Sequence, residues 1–353
     1  MGIMNKLFHT DKQISGLDIS LTGVKIMSIN PQKKTVSGYG SIDLDPSKVQ
    51  ESLDKGTSYL GDNIKSLISS NLIGKLPSDH VVLGLPTSRT FSRTLTLPAD
   101  AKGNLKEAIE IEADQYIPIP IGLLYTDYAV IEQTKEFITV LMSAVPKTLA
   151  DGCIEAIEST GLQVIMAEPG ISAVARILES AEDGHLPTVI IDVGPAGTDI
   201  AVLDGSIRVT GGVNIGGNTF TLSIAKKLGV ALESAHQMKV LNGLNAGSRQ
   251  EKIQAALKPN LDRIVNETRK VIRYYNERIT DDKKIEQILV VGDGSNMPGI
   301  GDFFTNELIM PARVANPWQQ LNFGSLPQPA RQFRTRYITV AGLASVNPSE
   351  VWK

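Results

Sequence analysis

The sequence predicts an α/β protein built on a duplicated unit, and two observations carry that reading. The stretch GLDISLTGVKIMSI, Gly16 to Ile29, is written again as VIIDVGPAGTDIAVL, Val189 to Leu203. Aligned without a gap, Leu17 falls on Ile191, Asp18 on Asp192, Gly23 on Gly197 and Ile26 on Ile200. Each copy is an apolar strand with an Asp near its end, a small-residue turn and a second apolar run, the signature of a hairpin with an acid at its tip. The second observation is that strand-like runs alternate with helical periods along the chain, as sheets covered by helices on both faces require.

Taken in order, strands are expected at Ile14–Ile19, Val24–Ile29, Val81–Leu85, Thr90–Leu97, Tyr125–Ile131, Phe137–Ala144, Thr188–Ile191, Ile200–Leu203 and Ile288–Val291. NLKEAIEIEADQYIP spaces Leu105, Ile109, Ala113 and Tyr116 on one helical face after the N-cap Asn104, and Pro118 ends it. PNLDRIVNETRKVIRYYNER does the same through Leu261, Ile264, Val265, Ile272 and Tyr275. From about Ser88 to Leu162 the pattern reads strand, helix, strand, strand, helix, a compact unit between the hairpin copies that suits an inserted subdomain. NPWQQLNFGSLPQPARQ is the long irregular stretch, with Trp318 as a core anchor or a support of the cleft. RYITVAGLASVN then returns to a small-residue apolar helix.

At 353 residues the chain is long enough for two or three domains. A net charge of −3, from 35 basic and 38 acidic residues without a single-sign block, disfavours nucleic-acid binding. The lone Cys153 forms no internal disulfide, and His9, His80, His185 and His236 are too scattered to suggest a metal cluster. No apolar run approaches the roughly 18 residues of a membrane span, and the start MGIMNKLFHTDK is too short in apolar residues for a secretory signal. Gly2 is not followed by the Ser or Thr that myristoylation needs, since position six is Lys6. A cytoplasmic location is expected.

Two acidic hairpins in register are suited to close around a phosphate chain, with turn N–H groups as donors and Asp18 and Asp192 holding a metal or its waters. Ser20, Thr22 and Lys25 in the first copy, and Thr198 in the second, add hydroxyls and a charge at the tips. Just upstream of the second copy, AEPGISAVARILES places Glu168 before Pro169, in the first turn of a helix facing the cleft, where it is suited to order a water. ILVVGDGSNMPGI runs a strand into Gly292, Gly294 and Gly299, glycines that let backbone approach a flat ligand, with Ser295 as a helix start. Its spacing, G-x-G-x-x-x-P-G with Pro298, is not the dinucleotide fingerprint, so NAD is disfavoured. Arg263 and Glu267, one helical turn apart, read either as a contact to ribose or adenine or as a surface ion pair.

The order of these parts resembles the actin, sugar-kinase and heat-shock-chaperone ATPase superfamily, with its phosphate 1, connect 1, phosphate 2, adenosine and connect 2 elements. Within it GLDISLTGVKIM, AIEIEADQYIPIP, AVPKTLADGCIEAIESTGLQV, VNIGGNTFTLSIAKKLGV and RVANPWQQL resemble the PilM family of actin-like type IV pilus assembly proteins, itself similar to FtsA. The resemblance implies an actin-like (ribonuclease H-like) duplicated fold, two lobes around a nucleotide cleft, with a small inserted α+β subdomain of the FtsA type. It implies lobe one at 1–87, the inserted partner-binding subdomain at 88–162, lobe one continued with a connecting helix at 163–186, lobe two at 187–320 and a return to lobe one at 321–353.

It also implies ATP with magnesium in the cleft. Asp18 and Asp192 would hold the metal, and Glu168 with Asp192 would act in slow, magnesium-dependent hydrolysis. Gly16, Ser20, Thr22, Lys25, Gly194, Gly197, Thr198, Gly216, Gly217, Arg263, Glu267, Gly292, Asp293, Gly294, Ser295 and Pro298 would line the nucleotide. The implied partners are the cytoplasmic N-terminal segment of a PilN-like inner-membrane protein, received by the inserted subdomain, and other type IV pilus assembly components. There Ile109, Tyr116 and Ile117, beside Glu110, Glu112 and Asp114, read either as the lining of a groove for that segment or as packing of the subdomain. Membrane attachment would come through partners alone, and self-association is open to the fold. Two departures stand out: Asp18-Ile19-Ser20 lacks the family's second Gly, and Asp293 replaces a Gly near the base or ribose. A small-molecule kinase of the same superfamily and a nucleotide-free scaffold are the alternatives.

Overall fold

The computed structural model describes residues 13–30, 32–181, 186–245, 250–279 and 283–351. Gly2, Lys6, His9 and His185 lie outside the described residues. The chain runs through β1 (Ser15–Ser20), β2 (Gly23–Asn30), β3 (Thr35–Asp43), α1 (Pro46–Lys55), α2 (Tyr59–Ser70), β4 (Ile73–Gly74) and β5 (His80–Leu85). It continues through β6 (Phe91–Pro98), α3 (Leu105–Asp114), β7 (Leu124–Gln133), β8 (Phe137–Pro146), α4 (Lys147–Glu158), β9 (Gln163–Pro169) and α5 (Gly170–Glu179). Then come β10 (Thr188–Val193), β11 (Thr198–Leu203), β12 (Ile207–Val213), α6 (Gly217–Leu228), α7 (Leu232–Leu241) and α8 (Gln250–Arg278). Last are β13 (Gln287–Val291), α9 (Ile300–Leu308), β14 (Ala312–Val314), α10 (Ile338–Ala344) and the short α11 (Pro348–Val351).

The duplication is visible in the sheets. One has the order β4-β3-β2-β1-β5-β9 and the other β12-β11-β10-β13-β14, so β1 and β10 hold equivalent central positions. Each pairs antiparallel with its hairpin partner and parallel with the strand on its other side. Both read as unbroken apolar runs because both faces of each sheet are covered. On one side of the first sheet, Leu17, Ile19, Val24 and Ile26 pack with α1, α2 and α4. On its other side Met27 and Ile29 meet α5 and α10 in a core that also takes in Ile190, Ala201 and Leu289 of the second sheet. That shared core ties the lobes together beneath the cleft.

Local signals explain the covering helices. Asp45 caps α1 by accepting from Ser47 N at 2.8 Å and Lys48 N at 3.3 Å, Pro46 occupies its first turn, and Gly56 ends it with a left-handed φ of 66°. The return of α10 to lobe one requires glycines on both sides. A Cβ at Gly16 would stand 2.5 Å from Val340 O, and one at Gly342 would collide with Ala173 O. Gly16 therefore serves helix–sheet packing rather than a ligand. Trp318 is a core anchor, stacked on Phe323 with centroids 5.6 Å apart.

The inserted unit is a three-stranded sheet, β6-β8-β7, backed by α3 around Leu95, Leu97, Ile109, Ala113, Ile138 and Val140. It is smaller than expected. Leu149, Cys153 and Ile157 of α4 belong to the core of lobe one, so the separate core ends with β8 and not at residue 162. The α3 helix also stops early, at Asp114, leaving Tyr116 outside it and 48% exposed. Ile109 and Ile117 are buried at 2% and 6% exposure, so they pack the subdomain and are not displayed beside Tyr116 for a partner.

Candidate functional site

The hairpin register places the two acids at matching heights. Asp18 lies opposite Lys25 across β1 and β2, and Asp192 lies opposite Asp199 across β10 and β11. The first is a salt bridge, Lys25 Nζ to Asp18 Oδ2 at 2.9 Å. At the same place in the repeat the second hairpin sets two carboxyls against each other. Burial first, then the charges of Asp199 and Asp18, push the Asp192 carboxyl up to about 7. Burial also lifts Asp199 to about 7, against a hydrogen bond from Thr87 and with added repulsion from Asp18. Lys25 is held above the ordinary lysine value because Asp18 outweighs burial.

A titration follows from this pair. Both carboxyls rise from an unfolded value near 3.8, so between about pH 4 and 7 the folded chain holds protons that the unfolded chain has released. Stability of the nucleotide-free chain should fall as pH rises through that window. Asp18, Lys25 and Asp293 face the pair, and Asp199→Asn removes one repelling carboxyl without changing its shape. The expected result, read by thermal melting from pH 5 to 8, is a flatter decline and a higher melting temperature at pH 8 in the variant. An equally steep decline would mean that these carboxyls do not titrate as described.

Two adjoining cavities occupy the cleft. The inner one, about 150 Å³, lies between the turns at Ser20–Thr22 and Gly194–Gly197, with Asp18, Asp192 and Asp199 on its wall. The outer one, about 570 Å³, is bounded by Gly217, His236, Lys239, Gly294 and Phe333. Ser20, Thr22, Lys25, Pro195, Asp293 and Arg336 face both cavities. A small chamber that sets Lys25, Arg89 and Arg336 among four carboxyls, opening into a larger, partly apolar one, suits a phosphate chain with its cation followed by a nucleoside.

The expected site residues divide into those that face this space and those that build it. Gly194 and Gly197 lie on the inner wall, where a Cβ would crowd Gly197 O at 3.1 Å or Val213 O at 3.3 Å, so glycine lets the turn itself close tightly beside the chamber. Gly216 instead lets α6 approach that turn: a Cβ there would stand 2.7 Å from Pro195 O, and Gly217 N bonds Gly194 O at 2.9 Å. Gly292 and Gly294 serve contact between strands, since a Cβ at either would strike Asp192 or Val193. Thr198 is fully buried and donates to Ile215 O at 2.7 Å, and Ser295 donates to Gly292 O at 2.7 Å. The Pro298 carbonyl accepts from Leu244 N at 2.7 Å, fastening the loop after α7. The Ser20 hydroxyl turns into its own hairpin, donating to Gly23 O at 3.0 Å.

Three expectations are corrected. Glu168 ends strand β9 rather than opening a helix, and it does not line the cleft: both oxygens are held by Arg176 at 2.6 Å. An acid fixed in this way is not poised to order a water. Arg263 sits on an exposed face of α8, outside the cleft cavities. Glu267 is bound by Lys270 at 2.9 Å and faces a different cavity, beside the inserted subdomain. Asp293, the departure from the family turn, is engaged at the rim by Arg336 at 3.5 Å and Thr335 at 3.4 Å.

Sequence reasoning missed Asp199, Thr87 and Lys239. Asp199 had a signal, because it falls on Lys25 when the two hairpins are aligned. Lys239 is buried on α7 and donates to Gly217 O at 2.8 Å and Thr221 Oγ1 at 2.9 Å. Burial pushes its ammonium down to about 8, against the pull of Asp293. Its signal was a lysine one turn after the buried Ala235, on the face that α7 turns inward.

Divalent magnesium fits the charge of the inner chamber, where the half-buried Asp192 and Asp199 and the buried Asp18 repel one another. Among the described residues no group of three or more His, Cys, Asp or Glu is arranged to hold a metal. Asp18 and Asp192 would therefore share the ion with ligand phosphates and waters, the usual arrangement for magnesium.

A family model described as type IV pilus assembly protein PilM matches residues 16–346. Among solved structures, a PilM-PilN type IV pilus biogenesis complex superposes with a TM-score of 0.78 and 22% identity, over 95% of this chain and 98% of that one. MreB5 of Spiroplasma citri bound to ADP gives a TM-score of 0.54 with 13% identity, over 94% of each chain. The cell division protein FtsA of Neisseria meningitidis serogroup B is 27% identical over 195 residues, 53% of this chain and 44% of that protein. The match thus spans less than half the length of that relative. These likenesses show the expected actin-like, two-lobed fold.

Proposed function

Because the chain belongs to the type IV pilus assembly protein PilM family, we propose that it is a cytoplasmic, nucleotide-dependent scaffold of pilus assembly. Its cleft takes ATP with magnesium, and its inserted subdomain helps to receive the cytoplasmic N-terminal segment of a PilN-like inner-membrane protein. Other pilus assembly components meet the same scaffold, and partners bring it to the membrane. No helix among the described residues is long and apolar enough to cross one.

The observation that carries the nucleotide reading is the pair of acid-tipped hairpins facing one chamber. When bound, the nucleotide and its ion supply phosphate oxygens and positive charge. Lys25 offers a cation to phosphate, the Gly194–Gly197 turn offers backbone, and Asp18 and Asp192 orient the ion or its waters. Lys239 and Gly217 form the floor of the nucleoside side. The tie between Glu168 and Arg176 supports slow hydrolysis, because it withholds the carboxylate that the resemblance assigned to the attacking water.

The partner half is tested by hydrogen exchange. A peptide from the cytoplasmic N-terminus of a PilN-like protein should slow exchange of amides within 88–162. Protection confined to residues after Asp192, or none at saturating peptide, would overturn the partner assignment.

A further inference from the structure

The inserted subdomain is rooted in lobe one, yet it also grips lobe two. Strand β6 runs alongside β12, and three side chains cross the boundary. Thr210 Oγ1 donates to Ser92 O at 2.9 Å, and Thr94 Oγ1 donates to Arg208 O. Between these bonds Arg93 meets one aromatic ring of the subdomain and one of lobe two. Its guanidinium carbon lies 3.7 Å from the centroid of Tyr116, in the subdomain, and 5.4 Å from that of Tyr274, on α8 of lobe two. It also donates to Tyr274 Oη at 3.3 Å. Contacts of a guanidinium with aromatic rings are individually weak, so the clamp holds but can be released.

The surroundings favour release. The contacts ring a cavity of about 620 Å³ instead of closing a packed apolar seam. The root of the subdomain joins the cleft directly: Thr87 and Asp199 line both this cavity and the inner chamber, and the Thr87 hydroxyl accepts from Ile171 N at 3.1 Å, at the start of α5.

We propose that the inserted subdomain is a releasable latch: Arg93, between Tyr116 and Tyr274, and the Thr210–Ser92 bond hold the lobes at a fixed angle from outside the cleft. Anything that moves the subdomain then changes the opening of the cleft, without contact to the cleft itself.

The test is an inter-lobe distance in the full-length chain without nucleotide, so its failure is separate from failure of the nucleotide reading. Spin labels go on Lys65→Cys in α2 and Lys226→Cys in α6, both exposed. Cys153 is buried, and burial lifts its thiol to about 12, so it stays unlabelled. The latched chain should give one narrow distance distribution. Arg93→Ala should shift the main peak to longer distance and broaden it, and Thr210→Val, which loses one hydroxyl and keeps its shape, should do so to a smaller degree. Distributions identical to the parent in both variants would overturn the latch. Should Arg93→Ala unfold, Thr210→Val alone decides, since a chain still folded and unchanged in distance excludes a role for the crossing.

Discussion

Asp192→Ala is expected to lower magnesium-dependent ATP affinity at least about tenfold, which corresponds to about 1.4 kcal/mol. The acid stands at the hairpin tip on the wall of the inner chamber, and it carries a charge that the free chain keeps at the cost of repulsion from Asp199 and Asp18. Removing it should spare the fold: near neutral pH the free variant should melt no lower than the parent, because a strained carboxyl is gone. Affinity without magnesium should change much less than affinity with it, since the residue acts through the ion. Calorimetric titration and thermal melting on the same preparation read both halves. Unchanged affinity for magnesium-ATP would remove Asp192 from the site. A collapsed melting transition would shift the test to Asp192→Asn, which keeps the shape and removes the charge.

Gly292→Ala should be the most damaging small substitution near the cleft. Its φ is 81°, and a Cβ there would strike Asp192 Oδ1 and stand 2.6 Å from Val193 O. With ψ at 171° this backbone lies in a region open essentially to glycine, where another residue costs about 1–3 kcal/mol, and forced overpacking adds about 1–3 kcal/mol. The expected loss is therefore about 2–6 kcal/mol in urea unfolding, with nucleotide affinity falling as β13 is pushed from the hairpin. Gly205→Ala is the control, because its φ is 68° but nothing lies within 4 Å of its would-be Cβ. Equal losses in the two variants would show that the loop after β13 relaxes freely and does not brace Asp192.

Much of this was legible in the chain. The repeat of an apolar strand, an acid and a small-residue turn placed both hairpins, because a doubly covered central strand must be apolar throughout and its polar tip then stands out. The strands farther from the centre of each sheet were harder to read. Strands β3 and β12 carry glycines and polar residues, TVSGYGSID and IRVTGGV, that weaken any period-two pattern. The run ending in Glu168-Pro169 reads as a helix start, and the helix does begin at Gly170. The acid's direction, however, depends on Arg176, one side chain among many basic candidates. The glycines were identified as close-approach positions, but sequence does not say what approaches. At Gly216, Gly292 and Gly294 it is backbone or side chain of the second hairpin. Lys239 was hidden because a lysine in a helix is ordinarily on its wet face.

If the two hairpins make one site for nucleotide and cation together, the unmodified chain titrated with ATP in magnesium should bind saturably at one site per chain. In excess chelator the affinity should be at least about tenfold weaker, because the carboxyls of Asp18, Asp192 and Asp199 then face the phosphates without an intervening cation. Equal affinity in both titrations, or no binding in magnesium, would mean that the hairpins do not form such a site.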